Sequence, residues 1–221
     1  MRRVICTILF AILSISNLMA SGPLLKAVQQ PVVSPPTRTN CSWKIYKTFQ
    51  AVPDNLNWYV YTDLQCKKTL PSEGGLVRAT FSTGGSNRLV YVQYEASCNF
   101  FTAKLFLADS QGNVLDNLEV LAYGDFSVVK DYVIENGVIK IYSIKPTSTS
   151  SLSFWDFGHK FTSFAGTRCD EEYVVDGNRF KMKKRTTYNS KTYTYSQIHP
   201  DENYTFKIWN GSETVKNVQN F

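Results

Sequence analysis

Apolar and polar residues alternate in short runs over most of the chain beyond its first third. Residues 89–94 and 101–107 are rich in aromatic and β-branched side chains, and alternation with a period of two is typical of half-buried β-strands. The stretch 109–113 contains a glycine and predicts a reversal of the chain into a further strand over 114–121. The pattern therefore predicts consecutive strands joined by tight turns.

Two glycine-containing dipeptides predict hairpins. Asn136-Gly137 separates two alternating apolar runs and supplies the two positive-φ residues that a type I′ turn requires. Asp176-Gly177 is predicted to play the same role further along the chain. Because helical patterns are scarce, the sequence predicts an all-β fold, a single antiparallel meander that forms a sandwich or a barrel. The pattern does not decide between these two forms.

The first twenty residues have the layout of a secretory signal peptide. Arg2 and Arg3 supply positive charge, residues 4–18 are mostly apolar, and small residues follow at Ala20 and Ser21. The apolar run is short for a membrane span, which needs about 20 apolar residues. We therefore predict that residues 1–20 are removed, that no transmembrane segment remains, and that the protein is secreted or periplasmic. An uncleaved anchor is the alternative.

Proline content divides the remaining chain into two parts. Residues 21–39 contain four prolines among small and polar residues, which predicts an extended leader, disordered or polyproline-like. The next 182 residues, 40–221, show no linker or repeat and are predicted to form a single β-rich domain.

The charge of the chain is only mildly basic. The predicted signal peptide contains two arginines and no acidic residue, so its removal lowers the formal net charge from +6 to +4. A nucleic-acid-binding protein usually has a concentrated basic face, and an exported protein has little access to nucleic acid, so no nucleic-acid partner is predicted. A hydrophobic content of 43% indicates a folded chain rather than a disordered one.

Four of the five cysteines lie beyond the predicted signal peptide. An even number of cysteines in an exported chain predicts disulfides, with free buried thiols as the alternative. The favoured pairing among the three combinations is Cys41–Cys66 with Cys98–Cys169. Neither the cysteines nor the two histidines have the spacing of metal ligands, so no metal site and no cofactor is predicted.

Three Asn-x-Ser/Thr sequences begin at Asn40, Asn203 and Asn210. They would be glycan acceptors in a eukaryotic or viral host. The sequence itself does not identify the host, so glycosylation at these sites is left open.

Three segments within residues 85–185 carry a resemblance. They are the run Leu-Ala-Asp-Ser-Gln-Gly-Asn-Val-Leu over 107–115, the break Gly-Asp-Phe over 124–126, and Tyr-Val-Val-Asp-Gly-Asn-Arg-Phe over 173–180. Together these resemble uncharacterised exported β-rich proteins of Gram-negative bacteria. The resemblance implies a periplasmic or secreted setting, and it brings no activity and no functional residues.

The strongest catalytic candidate is a polar and aromatic cluster around Trp155. Asp156 and His159 in this cluster have the chemistry of an acid/base pair. The favoured alternative is a turn at Gly158 with the aromatic side chains packed on the core. Because no nucleophile motif or Cys–His arrangement occurs, we predict no catalytic residue.

A basic segment followed by tyrosines is the strongest binding candidate. In a strand, Lys181, Lys183 and Arg185 would share one face, and Tyr193 and Tyr195 would share a face of the next strand. Interleaved basic and aromatic side chains suit an acidic polymer, with the tyrosines stacking on sugar rings. The alternative interpretation is an edge strand whose lysines discourage pairing with other chains.

These patterns favour a non-enzymatic function. The sequence predicts an exported binding or interaction module that recognises a polymer or protein partner at the cell envelope or in the extracellular space. One alternative is a secreted hydrolase acting on glycans through carboxylates that sequence spacing does not reveal. Another is a structural subunit of an envelope assembly.

Overall fold

A computed structural model describes residues 21–37, 50–51, 75–96, 100–123, 129–147, 163–194 and 212–221. These ranges contain helix α1 (Leu25–Val28) and eleven β-strands. The strands are β1 (Gln50–Ala51), β2 (Leu76–Ser82), β3 (Arg88–Ala96), β4 (Phe100–Ala108), β5 (Val114–Tyr123), β6 (Val129–Glu135), β7 (Val138–Pro146), β8 (Ser163–Asp176), β9 (Arg179–Tyr188), β10 (Lys191–Thr194) and β11 (Val215–Asn220). No helix within these ranges has the length and apolar character needed to cross a bilayer.

The strands form one antiparallel meander, as the alternation of the sequence predicts. Consecutive strands pair from β1 to β9, β11 continues the sheet beside β9, and β10 pairs with β8. The two ends of this path, β1 and β11, do not pair with each other in the described ranges. The all-β prediction is therefore confirmed, whereas the barrel alternative is wrong because the sheet is not closed.

Strands β2 to β7 contribute side chains to a common apolar core. Strands β5 and β6 share a single residue pair, Ala122 with Lys130. Tyr91 of β3 stacks on Tyr132 of β6 with ring centroids 5.7 Å apart. One side of strands β6–β9 faces this core and bears Ile139, and we call it the inner face. We call the opposite side of these strands the outer face.

The two predicted hairpins are present. Asn136 and Gly137 connect β6 to β7 with φ angles of 53° and 76°, which confirms the predicted turn pair. In the second hairpin Asp176 still belongs to β8 and pairs with Arg179, so the turn residues are 177 and 178. The turn therefore lies one residue later than the sequence predicts.

Several of residues 21–37, the segment predicted to be an extended leader, contact the sheet. Leu24 and Ala27 are fully buried on the face of β2–β4 that points away from the common core. The amide of Gly22 donates to the carbonyl of Gln111 at 2.8 Å, and Pro36 accepts from the amide of Ile134 at 2.8 Å. Apolar burial fixes this segment despite its prolines, so the described part of the fold begins before residue 40.

The structure does not support the predicted disulfide at Cys169. Its thiol is free and half-buried on β8. Burial, as the largest cause, raises the pKa of this thiol to about 11. The other three predicted disulfide cysteines, Cys41, Cys66 and Cys98, lie outside the described residues.

Candidate functional site

The three basic residues predicted to bind a ligand all lie on β9, but they do not share a face. The register between β8 and β9 shifts next to Tyr173, which leaves Lys183 as the additional residue of a β-bulge. Because side chains alternate between faces, this bulge inverts the alternation. Lys181 therefore lies on the outer face and Arg185 on the inner face.

Arg185 is engaged with groups of its own sheet. Its Nη2 lies 2.7 Å from Oε1 of Glu171, the residue directly opposite on β8. The hydroxyl of Tyr173 donates to the other carboxylate oxygen of Glu171 at 3.2 Å. The hydrogen bond from Arg185 to Glu171 is the main cause that raises the pKa of Arg185. This guanidinium is thus a neutralised part of the fold.

The other two predicted lysines are exposed but differ in their partners. Lys181 lies 3.3 Å from the carboxylate of Asp176, in a pair whose side chains are at least half exposed. Lys183 is exposed at the bulge, and its side chain makes no ion pair among the residues that the structure describes. Of the three basic residues, Lys183 therefore has the charge most available to a partner.

Tyr193 is not a surface platform. It lies on β10, which pairs with β8 rather than with β9, and only 2% of the residue is exposed. Its ring packs near that of Phe164 at 5.9 Å, and its hydroxyl donates to Glu213 at 3.2 Å. The ring that the sequence predicts to stack on a ligand is thus buried within the protein. Tyr195 lies outside the described residues.

The outer face carries a buried polar cluster centred on Arg168. The Nε and Nη2 of Arg168 lie 2.7 and 2.9 Å from the two carboxylate oxygens of Asp170. Its Nη1 lies 3.2 Å from Oε2 of Glu213. The guanidinium also lies 5.3 Å from the ring centroid of Tyr142 and 5.1 Å from that of Tyr188. Carboxylates and aromatic faces therefore surround this charge on several sides.

The pKa values of Arg168 and Tyr188 are both raised in this cluster. Burial lowers the pKa of Arg168, but the hydrogen bond and charge of Asp170, with the charge of Glu213, outweigh it and raise the pKa overall. Burial, then the hydrogen bond to Asp170, raises the pKa of Tyr188 to about 12. The charged arginine and the neutral tyrosine are both favoured near neutral pH.

The cluster also anchors the segment that precedes β11. Only 2% of the Glu213 side chain is exposed, and its Oε1 lies 3.6 Å from the ammonium of Lys191. Glu213 is thus bound to β8 and β10 two residues before β11 begins. A cavity of about 310 Å³ lies beside the cluster, lined by Tyr142, Arg168, Asp170, Lys184, Tyr188 and Glu213. Since these charges are compensated within the chain, we interpret the cluster as a structural anchor.

Strand β11 forms the edge of the described sheet next to β9. All six of its residues are exposed, and its apolar side chains Val215 and Val218 are 51% and 45% exposed. Phe221, directly after the strand, is 58% exposed. A second bulge lies between Val215 and Asn217, at Lys216. Two bulges, one in β9 and one in β11, therefore carry an exposed lysine each, Lys183 and Lys216. We call β11 together with Lys183 the basic edge.

Sequence reasoning missed β11 for a physical reason. Val215 and Val218 lie opposite Tyr188 and Thr186, which share the outer face, although a regular strand places residues three apart on opposite faces. The bulge at Lys216 brings them to one side. Val215 and Val218 are three positions apart, which does not match the two-residue period of a strand. The remaining residues of the segment are polar.

Other predicted sites stay untested. Asp156, His159 and the three glycosylation sequences at Asn40, Asn203 and Asn210 lie outside the described residues. Within the described ranges, no group of three or more histidine, cysteine or acidic side chains is placed to hold a metal ion.

A comparison with known protein families, with curated proteins and with solved structures finds no match to this chain. The resemblance to exported β-rich bacterial proteins therefore stays a prediction, and the function has to be argued from the residues of this chain.

Proposed function

We propose that this protein is an exported, non-enzymatic binding module that recognises a polymer or protein partner at the cell envelope or in the extracellular space. Export rests on the signal-like residues 1–20, which lie outside the described ranges. In this proposal the two halves of the sheet form a sandwich, and the basic edge is the surface that meets the partner.

The observation that carries the proposal is the exposure of uncompensated groups at one edge. Lys183 and Lys216 have no ion pair among the described residues, and apolar side chains of β11 are exposed beside them. A surface that combines cationic and apolar groups suits an acidic partner that also offers apolar contact.

The hydrolase alternative receives less support from the described residues. A glycosidase needs two carboxyl groups, one of them protonated, on either side of the substrate. Asp170 and Glu213 are the acidic side chains of the outer-face cluster that lie closest to Arg168, and both accept hydrogen bonds from it. Both carboxylates are occupied by the guanidinium of Arg168, which suits a structural role better than that of a general acid.

The proposal is tested by charge reversal at the basic edge. The purified protein would be immobilised and exposed to the envelope and extracellular fractions of its source, and saturable binding would be measured against the variant Lys183→Glu with Lys216→Glu. We expect the variant to lose capture while its thermal unfolding temperature stays near that of the wild type. The matched control is Lys26→Glu with Lys145→Glu, which reverses two exposed lysines elsewhere.

Equal capture by the wild type and the edge variant would remove the basic edge as the binding surface. Absence of saturable binding, together with turnover of a glycan substrate, would contradict the binding-module proposal and favour the hydrolase.

A further inference from the structure

The edge of β11 that points away from β9 has main-chain N–H and C=O groups that pair with no strand of the described ranges. The amide of Phe221 donates to the carbonyl of Lys183 at 3.0 Å, and the register continues with Gln219 opposite Arg185. In an antiparallel ladder, alternate residues direct their N–H and C=O groups toward the neighbouring strand and away from it. Val218 and Asn220 therefore direct these groups away from β9, and no other described strand pairs with that side.

The edge is held in an extended conformation in advance. Glu213 is bound to Arg168, Lys191 and Tyr193 immediately before the strand begins. The amide of Asn189 also donates to the carbonyl of Thr214 at 2.9 Å. A strand fixed in this way loses little conformational freedom when another strand pairs with it, so preorganisation favours binding.

Charge decides which occupant suits this edge. Edge-to-edge pairing with a second copy of this chain would bring together two surfaces that carry the same exposed lysines, and juxtaposed like charges weaken association. An acidic segment would instead compensate them. Exposed Val215 and Val218 offer apolar contact to side chains that alternate with the acidic ones.

We infer that β11 accepts an extended acidic peptide segment of a partner protein as an additional strand of the sheet. This inference rests on the proposed binding function and specifies its partner and its mode. The main-chain hydrogen bonds supply affinity, whereas the two lysines select the acidic sequence.

The first test uses a synthetic peptide of alternating valine and glutamate, about ten residues long, which exceeds the length of an average strand. Its affinity for the full chain would be measured by calorimetry beside two matched peptides. One replaces glutamate by lysine, and the other keeps every side chain but has alternate main-chain nitrogens methylated. We expect binding of the first peptide and at least about tenfold weaker binding of both others, since each loses several charge contacts or hydrogen bonds.

The second test uses proline on the protein. Val218→Pro removes an N–H that points away from β9, toward the position of an added strand. We therefore expect β11 to stay paired with β9 and peptide binding to fall by about tenfold. Gln219→Pro removes an N–H that points toward β9, and it should instead lower the thermal unfolding temperature. Because the methylated peptide needs no protein variant, the inference stays testable if Val218→Pro fails to fold.

The outcomes separate the inference from the proposal beneath it. Equal binding of the methylated and unmethylated acidic peptides would overturn strand addition, and heparin binding that Lys183→Glu with Lys216→Glu abolishes would then indicate an acidic polymer as the partner. No binding of any acidic peptide would also overturn the inference. The proposed function fails separately, if the protein shows no saturable capture from native fractions and turns over a glycan substrate.

Discussion

Arg168 of β8 and Glu213, which precedes β11, form an ion pair 3.2 Å long in which 5% and 2% of the side chains are exposed. The two residues are 45 positions apart in sequence. Their contact fixes the last described segment against β8, and so connects the buried outer-face cluster to the exposed edge strand.

Loss of the Glu213 charge should destabilise the protein. Glu213→Gln leaves Arg168 with one carboxylate instead of two and places an amide near a guanidinium, so we expect a loss of about 2–4 kcal/mol in the free energy of unfolding. Urea denaturation measures this change. Hydrogen exchange should also show faster exchange across residues 215–220, because the anchor of β11 is weakened.

The matched control for Glu213 is Asp176→Asn. Asp176 pairs with Lys181 at 3.3 Å, but 60% and 50% of these side chains are exposed. Solvent screening should limit its cost to below about 0.5 kcal/mol. Similar effects of the two substitutions would contradict the view that Glu213 anchors β11.

Asp131 should make the protein less stable as the pH rises. Burial raises the pKa of its carboxyl group well above the ordinary 3.8, and its Oδ2 is buried without a hydrogen-bond partner among the described residues. The folded state therefore binds this proton more tightly than the unfolded state. The contribution to stability is constant below pH 3.8, and it falls as the pH rises through the raised pKa of the folded state.

We expect Asp131→Asn to remove this dependence, because the amide does not ionise while its oxygen still accepts the hydrogen bond that the Tyr132 amide donates at 2.8 Å. The difference in unfolding free energy between variant and wild type should grow in favour of the variant from acid to alkaline pH. A difference that stays constant with pH would show that Asp131 does not titrate as its burial implies.

Docking of residues 21–37 should depend on Gly112. A Cβ atom at this position would lie 2.0 Å from the amide nitrogen of Leu25, and Gly112 has a φ of 76°. Gly112→Ala should therefore displace α1 and accelerate tryptic cleavage after Lys26. We expect it to lower the free energy of unfolding by about 2 kcal/mol more than a substitution that only strains the backbone.

Gly137→Ala is the control for that experiment, because Gly137 has the same φ of 76° but no atom within 4 Å of the added Cβ. Its cost should be the backbone strain alone, about 1–2 kcal/mol. Equal destabilisation and unchanged proteolysis for both variants would show that α1 does not depend on its contact with the β4–β5 turn.

Cys169 should be a slow nucleophile in the folded protein. With a pKa raised to about 11 by burial first, then by the charge of Glu171, little thiolate forms at neutral pH. Iodoacetamide should therefore label Cys169 only slowly in the folded protein. After unfolding without reductant it should label Cys169 readily, as measured by peptide mass spectrometry. Cys169→Ser identifies the labelled peptide, and a Cys169 disulfide in the native protein would contradict the free thiol.

The sequence by itself determined several of the strands and the hairpin at Asn136-Gly137. The alternation over 89–94 and 101–107 lies within β3 and β4, and Asn136-Gly137 forms the predicted turn. These features are local, because strand alternation and positive φ depend on residues that are neighbours in the chain. No long-range contact is needed to recognise them.

Tertiary structure decided which residues form the candidate site. A single bulge at Lys183 inverts the faces of the following residues, which separates Arg185 from Lys181, and β10 carries Tyr193 into the interior. The pairing of Glu213 with Arg168 joins distant parts of the chain. Bulge position and long-range ion pairs depend on register between strands and on packing, and periodicity along one chain encodes neither.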